Sequence, residues 1–339
     1  MRRFIGVFAA GLAALGLIAC QPKAGRQEVV VYTSVDQVYA EPVFKAFERA
    51  SGIKVLAVYD AEAAKTSGLV NRLIAETAKP QADVFWNSEF AQTIALKEKG
   101  VFAPIRPASA ADIPEQFKDP QGYWYGFGAR ARVLIVNTEA YPQGGPSSVF
   151  EFMDSKTASK KWGMAYPLFG TTLTQAAAMY VLLGDAAAQD FYQRLKDRGI
   201  RIVDGNSVVR DMVVSGELSA GLTDTDDACS AVKGGKPVRV VFPDSGPNSI
   251  GTLFIPNTAA MVKNGPHPAQ AKELLEYLLS DEVEGRLIDA GFFQLPVHSK
   301  YSRPACFPIA GAKEMKVSYA DIAGRVQQAA RQLREIFVK

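Results

Sequence analysis

The sequence predicts an α/β protein with a largely parallel sheet, organised as two α/β halves in series behind an export signal. Three observations carry this reading. Apolar, β-branched runs alternate with helical stretches along most of the 339 residues, the βαβ rhythm that builds parallel sheets. A chain of this length exceeds the roughly 250–300 residues at which single cores stop growing, which favours two domains. The N-terminus, MRRFIGVFAAGLAALGLIAC, sets a basic start before a short apolar run ending in a small residue and a cysteine. That run is shorter than the roughly 20 residues of a membrane-spanning helix, and it reads as a signal peptide over residues 1–19.

The elements follow in order. EVVVYTS (28–34) reads as a strand, VYAEPVFKAFERASG (38–52) as a helix closed by its glycine, and IKVLAVY (53–59) as a second strand. SGLVNRLIAETAKP (67–80) has apolar residues at helical spacing and a proline stop, and ADVFWNS (82–88) is a third strand. RARVLIVN (130–137) is a strand, TLTQAAAMYVLLG (172–184) a buried helix and QDFYQRLKDRG (189–199) an amphipathic one. IRIVDG, SVVRDMVVSGE, LSAGL and VRVVFP then read as strand, helix, strand and strand. GTLFIPNTAAMVKN (251–264) is expected to be a strand pair turning at Pro256-Asn257. HPAQAKELLEYLLSDEVEGRLIDAG supplies two helices, and YADIAGRVQQAARQLREIFV (319–338) the last. Joints rich in Gly and Pro fall near 121–129 and 244–250.

Composition narrows the function. A hydrophobic content of 48% and a charged content of 22% are those of a soluble globular chain. The net charge of +3, dispersed along the sequence, argues against a nucleic-acid partner. With only His267 and His298, neither in a nucleophile motif or at zinc spacing, histidine-based catalysis is not expected. Neither an enzymatic activity nor a cofactor is expected.

Ligands in open α/β sheets bind beyond the carboxyl ends of strands, so the polar loops after each strand are the candidates. They are Thr33-Ser34-Val35-Asp36, Trp86-Asn87-Ser88-Glu89, PLFGTT (167–172), DGNS (204–207) and TDTDD (223–227). Each alone reads as a helix cap; together they point to a convergent polar cleft. The candidate ligand-binding residues are Thr33, Ser34, Asp36, Trp86, Asn87, Arg130, Gly170, Thr171, Thr172, Asn206, Thr225, Asp226 and Asp227. FGTT opens a helix whose first turn has no acid, so its free amides and dipole suit an anion. Arg130 and Arg132 share one strand face, and Arg130 offers a bidentate contact to the same anion. Trp86 is expected to stack on an apolar face of the ligand.

The aspartates after LSAGL set the alternatives. An EF-hand counted from Asp224 would need a glycine where Cys229 stands and an acid where Gly235 stands, so that reading fails. The DTD run is similar to the nucleophile motif of haloacid-dehalogenase-type phosphatases, but it lies far from the start of the domain. A lipid-anchored metal-dependent phosphoesterase therefore stays a distant alternative. Asp224 is expected to cap the following helix, and Asp226 and Asp227 to face a ligand.

Together the segments VVVYTSVDQVYAEPVFKAFERASGIKV, ADVFWNSE, GARARVLIVNT, YPLFGTT, DGNSVV, GLTDTDDA and GTLFIPNTAAMV resemble the solute-binding proteins of ABC importers, in the branch of the ferric-iron-binding proteins. The resemblance spans nearly all of the chain beyond the signal. It implies a two-lobed periplasmic-binding-protein fold of type II, with two discontinuous α/β domains, a hinge and a ligand cleft. The lobes are placed at 28–130 with 251–298 and at 131–250 with 299–339, crossing near 129–132 and 246–251. Leu17-Ile18-Ala19-Cys20 resembles a lipobox, which implies lipidation of Cys20, a tether over 20–27 and anchorage in the periplasm. Gln21 is compatible with sorting to the outer membrane. Cys229 and Cys306 then remain as a possible disulfide. The implied partners are a small-molecule ligand and an inner-membrane ABC permease, with the protein a monomer.

Iron-binding members hold Fe(III) through a tyrosine pair and a first-loop histidine or acid. Those positions fall here on Thr225, Asp226 and Asp36, and the chain has no Tyr-Tyr dipeptide. The expected cargo is accordingly a small anionic organic solute, phosphorylated, phosphonate or carboxylate in type. Ferric iron is the alternative, held if so by Asp36, Asp226 and Asp227.

Overall fold

Strand alternation sorts the apolar side chains onto two faces of one sheet. In the computed structural model, which describes residues 27–60, 68–153, 161–292, 295–298 and 311–338, β1 (Glu28–Thr33) runs parallel to both β2 (Lys54–Tyr59) and β3 (Val84–Asn87). β5 (Tyr125–Asn137) is 13 residues long and buried at every position. Its first part pairs antiparallel with β10 (Phe254–Val262), which also pairs with β3 and, at its end, with β4 (Phe102–Ala103). From Arg132 onward β5 changes partner. It pairs with β8 (Ala220–Asp224) and, at its end, with β9 (Val238–Val241). β6 (Trp162–Ala165) lies parallel to β8, and β7 (Arg201–Val203) parallel to β6. Eight of the ten strands described lie in the order β2-β1-β3-β10-β5-β8-β6-β7, with β4 and β9 joining β10 and β5 off this path. One continuous strand thus carries the ladder from one half to the other.

Helices cover both faces. On one side lie α2 (Gly68–Ala75), α3 (Ala91–Glu98), α4 (Gly170–Leu183), α5 (Asp185–Asp197) and α10 (Tyr319–Phe337), packed on Tyr32, Phe85, Leu134, Val136 and Trp162. On the other, α1 (Gln37–Ser51), α8 (Pro268–Leu278) and α9 (Asp281–Asp289) cover Val31, Trp86, Phe127 and Val133. α6 (Asn206–Val214) and α7 (Thr225–Lys233) meet Ile135 and Val203 of the second half. α10 is amphipathic: Ile322, Val326, Ala329, Leu333 and Ile336 recur at helical spacing and are buried. Its contacts with α3, α4 and α5 clamp the two halves together on that face. Among the described residues no helix is long and apolar enough to cross a membrane.

Local chemistry explains the boundaries. Gly52 ends α1 at φ +76°, in the left-handed region that glycine adopts without strain. At Gly221 a Cβ would sit 2.3 Å from Val209 Cγ1, so α6 lies closer to β8 than any side chain allows. The expected turn at Pro256-Asn257 does not form. β10 runs straight through it, with only a shift of register against β5 between those residues. Proline lacks an amide for the ladder, and a local irregularity is enough to accommodate that.

Candidate functional site

The carboxyl ends of β1, β3, β6, β7 and β8 meet at one cleft. Its walls include Ser34, Asp36, Ser88, Arg130, Gly170, Thr171, Thr172, Asn206, Asp226 and Asp227, all from the predicted loops and hinge strand, together with Asp204, Asp224, Phe169 and Phe292. The cavity measures about 140 Å³.

Four predicted residues stand behind the wall rather than in it. Trp86 is fully buried, edge-on to Phe44 at 5.6 Å and beside Phe127, so it packs the core and does not line the cleft. Thr33 is buried, and its Oγ1 accepts from the Val35 amide. Asn87 braces the first loop: its Oδ1 accepts from Ser34 Oγ at 2.6 Å while its Nδ2 donates to Glu89 and Thr93. Thr225 is buried, and its Oγ1 accepts from the Ala131 amide at 3.0 Å. That bond pins α7 to the hinge strand where the pairing changes.

Asp224 is the largest departure from expectation. It holds the N-cap position of α7 yet makes no side-chain cap bond. Instead Asp224 Oδ1 accepts from Arg132 Nη1 at 2.7 Å, and Oδ2 accepts from Thr171 Oγ1 at 2.7 Å and Asn206 Nδ2 at 3.0 Å. Arg132 is wholly buried and donates further to Gln175, Thr171, Asn206 and Thr172. This ion pair ties β5, β8, α4 and α6 into one wall. The reason lies in register: Arg132 and Asp224 are direct cross-strand partners.

Acid dominates the rest. Oxygens of Asp224, Asp226 and Asp227 come within 4.8 Å of one another, and Asp36 and Asp204 line the same cleft. Burial pushes the Asp226 carboxyl up, opposed by the Arg130 guanidinium and reinforced by Asp224. Burial also lifts Asp227 well above the usual carboxylate range; Asp226 and Asp224 add to this, and Arg210 and Arg130 oppose it. Asp226 Oδ1 is buried with no hydrogen-bond partner among the described residues. Opposite stands Arg130, whose Nη1 lies 3.3 Å from Asp226 Oδ2 and 3.7 Å from Asp224 Oδ2, while Nη2 donates to the Ser88 carbonyl at 3.1 Å. Its carbon sits 5.4 Å from the Phe292 ring, which stacks on Tyr39. Burial works against the Arg130 charge, but Asp226 and Asp224 outweigh it and raise its pKa. The Tyr39 phenol is raised by burial and then by Asp226, Asp36 and Asp227, so it too feels the acid cluster.

The anion-facing element is present as well. α4 begins at Gly170 with no acid in its first turn and no side-chain cap, and Gly170 takes φ +57°, which a Cβ would strain. Cys229, on α7, is disulfide-bonded. Its partner lies outside the described residues, as do Cys20 and Cys306.

Residues 43–305 match the family described as bacterial extracellular solute-binding protein, and the chain belongs to it. The major ferric iron-binding protein of Neisseria meningitidis serogroup A is 28% identical over 289 residues, covering 81% of this chain and 82% of that protein. Iron uptake protein A2 of Synechocystis is 26% identical over 251 residues, covering 69% of this chain and 70% of that protein. Among solved structures, iron-bound HitA from Pseudomonas aeruginosa superimposes with a TM-score of 0.82 at 25% identity, over 92% of this chain and 99% of HitA. The fold is therefore the two-lobed periplasmic-binding-protein fold, and the protein is the solute-binding component of an ABC importer, a class of binding proteins and not of enzymes.

Proposed function

We propose that this protein captures a hard, multiply charged metal cation, ferric iron, and delivers it to an ABC permease, holding the metal through carboxylates in place of a tyrosine pair. The carrying observation is the charge of the cleft: Asp36, Asp204, Asp224, Asp226 and Asp227 face Arg130 and Arg132. An acid-rich pocket repels a simple organic anion, and the guanidinium expected to receive one is already engaged by Asp226, Asp224 and Ser88. This displaces the organic-anion reading as the first choice, and the relatives' names point the same way. Asp36, Asp226 and Asp227 supply hard oxygen donors from opposite sides of the cleft. Oxygen sets of this kind also take Ca²⁺, so selectivity has to be measured.

One observation favours a second reading. The uncapped first turn of α4 opens into the same cleft and suits the anionic end of a small organic solute whose amine or hydroxyls meet the aspartates. Native mass spectrometry of protein purified without chelators separates the two. An increment of one iron ion, retained against excess Ca²⁺, supports the metal. An organic adduct, or a protein that ignores ferric nitrilotriacetate but gains mass from phosphate or phosphonate probes, sinks it. The protein acts as a monomer anchored through lipid on Cys20, with lobes at 28–130 plus 251–298 and 131–250 plus 299–339. A Cys20→Ser variant should be released in soluble form.

A further inference from the structure

The reading of the cleft as a cation site raises the question of what Arg130 does there. Its partners lie on both sides. The strand bearing it pairs with β10 at Ile255, and Nη2 is held by the Ser88 carbonyl after β3, in the same half of the sheet. Nη1 reaches across to Asp226 on α7 and Asp224 on β8, in the other half. Two other arginines near the cluster engage its other acids. Arg132 is locked to Asp224 and to four uncharged side chains. Arg210 pairs with Asp211 at 2.8 Å and with Asp227 at 3.4 Å. Arg130 is therefore the cation that sits on Asp226, and it leaves Asp226 Oδ1 buried without a donor among the described residues. A ring face, Phe292, lies beside the guanidinium and gives it a resting surface that does not depend on the acids.

We propose that Arg130 is a built-in competing cation, and that cargo loads by exchange with its guanidinium on Asp226 and Asp224 rather than by filling an unopposed acid cluster. This rests on the cation reading above and adds a selectivity rule to it. Exchange of Arg130 for a singly charged amine leaves the charge facing the cluster unchanged, so such a ligand gains no Coulombic energy over the arginine it displaces. A doubly or triply charged ion raises that charge and wins the exchange, because the energy scales with the product of charges at equal distance. The arginine thus rejects common monovalent cations because it already supplies the acids with an equal charge, which is discrimination against the wrong partner. The same exchange run backwards keeps a competitor tethered within a few ångströms of the bound cargo.

The test uses the full chain in three forms: wild type, Arg130→Gln and Arg130→Ala, each checked for native circular dichroism. Two probes are applied. Ferric nitrilotriacetate is titrated into wild type and R130Q, and millimolar methylguanidinium is added to wild type and R130A during thermal melts. The expected result is that R130Q binds iron at least tenfold more tightly than wild type. Methylguanidinium should raise the Tm of R130A by mass action on the vacated acids and leave wild type unmoved. If neither protein binds iron but R130A still responds to methylguanidinium, the ferric reading falls and the counter-ion role of Arg130 stands. If R130Q binds iron equally or more weakly and R130A ignores methylguanidinium, the exchange proposal is overturned while the ferric reading survives. Should R130A not fold, the iron titration of R130Q decides alone: tightening supports exchange, and anything else refutes it.

Discussion

Replacing Arg132 with methionine tests the wall that holds the cleft together. Arg132 has no solvent exposure and Asp224 has 1%, so their 2.7 Å bond lies in the protein interior. Removing one partner of a buried ion pair typically costs about 3–5 kcal/mol, because the other charge is left uncompensated. Here the loss is compounded: Gln175 Oε1, Asn206 Oδ1 and Thr172 Oγ1 each lose the guanidinium donor. Methionine fills most of the aliphatic stem, which limits any cavity term. At roughly 2 °C per kcal/mol for a chain of this size, extrapolated from smaller domains, Arg132→Met should lower Tm by about 6–10 °C. Circular dichroism melts of R132M, Asp224→Asn and the double variant give the assay. The double variant should be more stable than the sum of the single losses predicts, by at least ~1 kcal/mol, since each single change already breaks the shared interaction. A drop in Tm smaller than about 2 °C for R132M, or strict additivity in the cycle, would show that the pair is no structural anchor.

Three further outcomes follow from the same geometry. Asp227 has a folded pKa raised above its unfolded value, so its stabilising contribution is greatest below the unfolded pKa and is lost as pH rises through the folded one. Asp227→Asn should therefore stabilise the ligand-free protein at pH 7. The gain should shrink toward pH 4, so Tm-against-pH curves that stay parallel would refute this. Glu284 is fully buried and accepts from the amides of Gly128, Val297 and His298. Glu284→Ala orphans all three and should cost at least ~3 kcal/mol in urea unfolding; a shift below 1 kcal/mol contradicts that. Trp86→Phe should lower stability by roughly 1–2 kcal/mol with cargo affinity unchanged, and a weakened affinity would return Trp86 to the site.

Much of the alternation of strands and helices was legible, because strands such as β1 are runs of β-branched residues and helices such as α10 have an apolar period; β6, Trp-Gly-Met-Ala, was not, because it holds no β-branched residue. Legible too were the loops that line the cleft, since carboxyl ends of parallel strands face one way. Which residue of each loop points inward was not. Trp86 shares its strand face with Val84, toward α1 and α8. Thr225, Thr33 and Asn87 spend their polar atoms on neighbouring backbone and loop groups. These outcomes depend on register, where a shift of one residue moves every side chain to the other face. Asp224 was read as a cap because the sequence shows only its local helix. Its partner, Arg132, lies 92 positions away and is brought opposite by antiparallel pairing.

That pairing also gives β5 a mechanical property. Ala131 is the last residue paired with β10, and Arg132, whose amide still donates to the Leu253 carbonyl just before β10, is the first paired with β8. The two arginines straddle this change of partner, and both reach Asp224, Arg132 at 2.7 Å and Arg130 at 3.7 Å. Arg132 and Asp224 belong to the same half of the sheet, so rotation about the junction leaves their bond intact. Arg130 belongs to the other half, held by Ser88, and the same rotation must change its distance to Asp226. On the exchange proposal, the strand that joins the halves converts opening and closing into movement of one guanidinium over the acids. Closure without cargo would then set Arg130 on Asp226 and closure with cargo would require it to yield, so that lobe position is coupled to the charge of what the cleft contains through a lever two residues long.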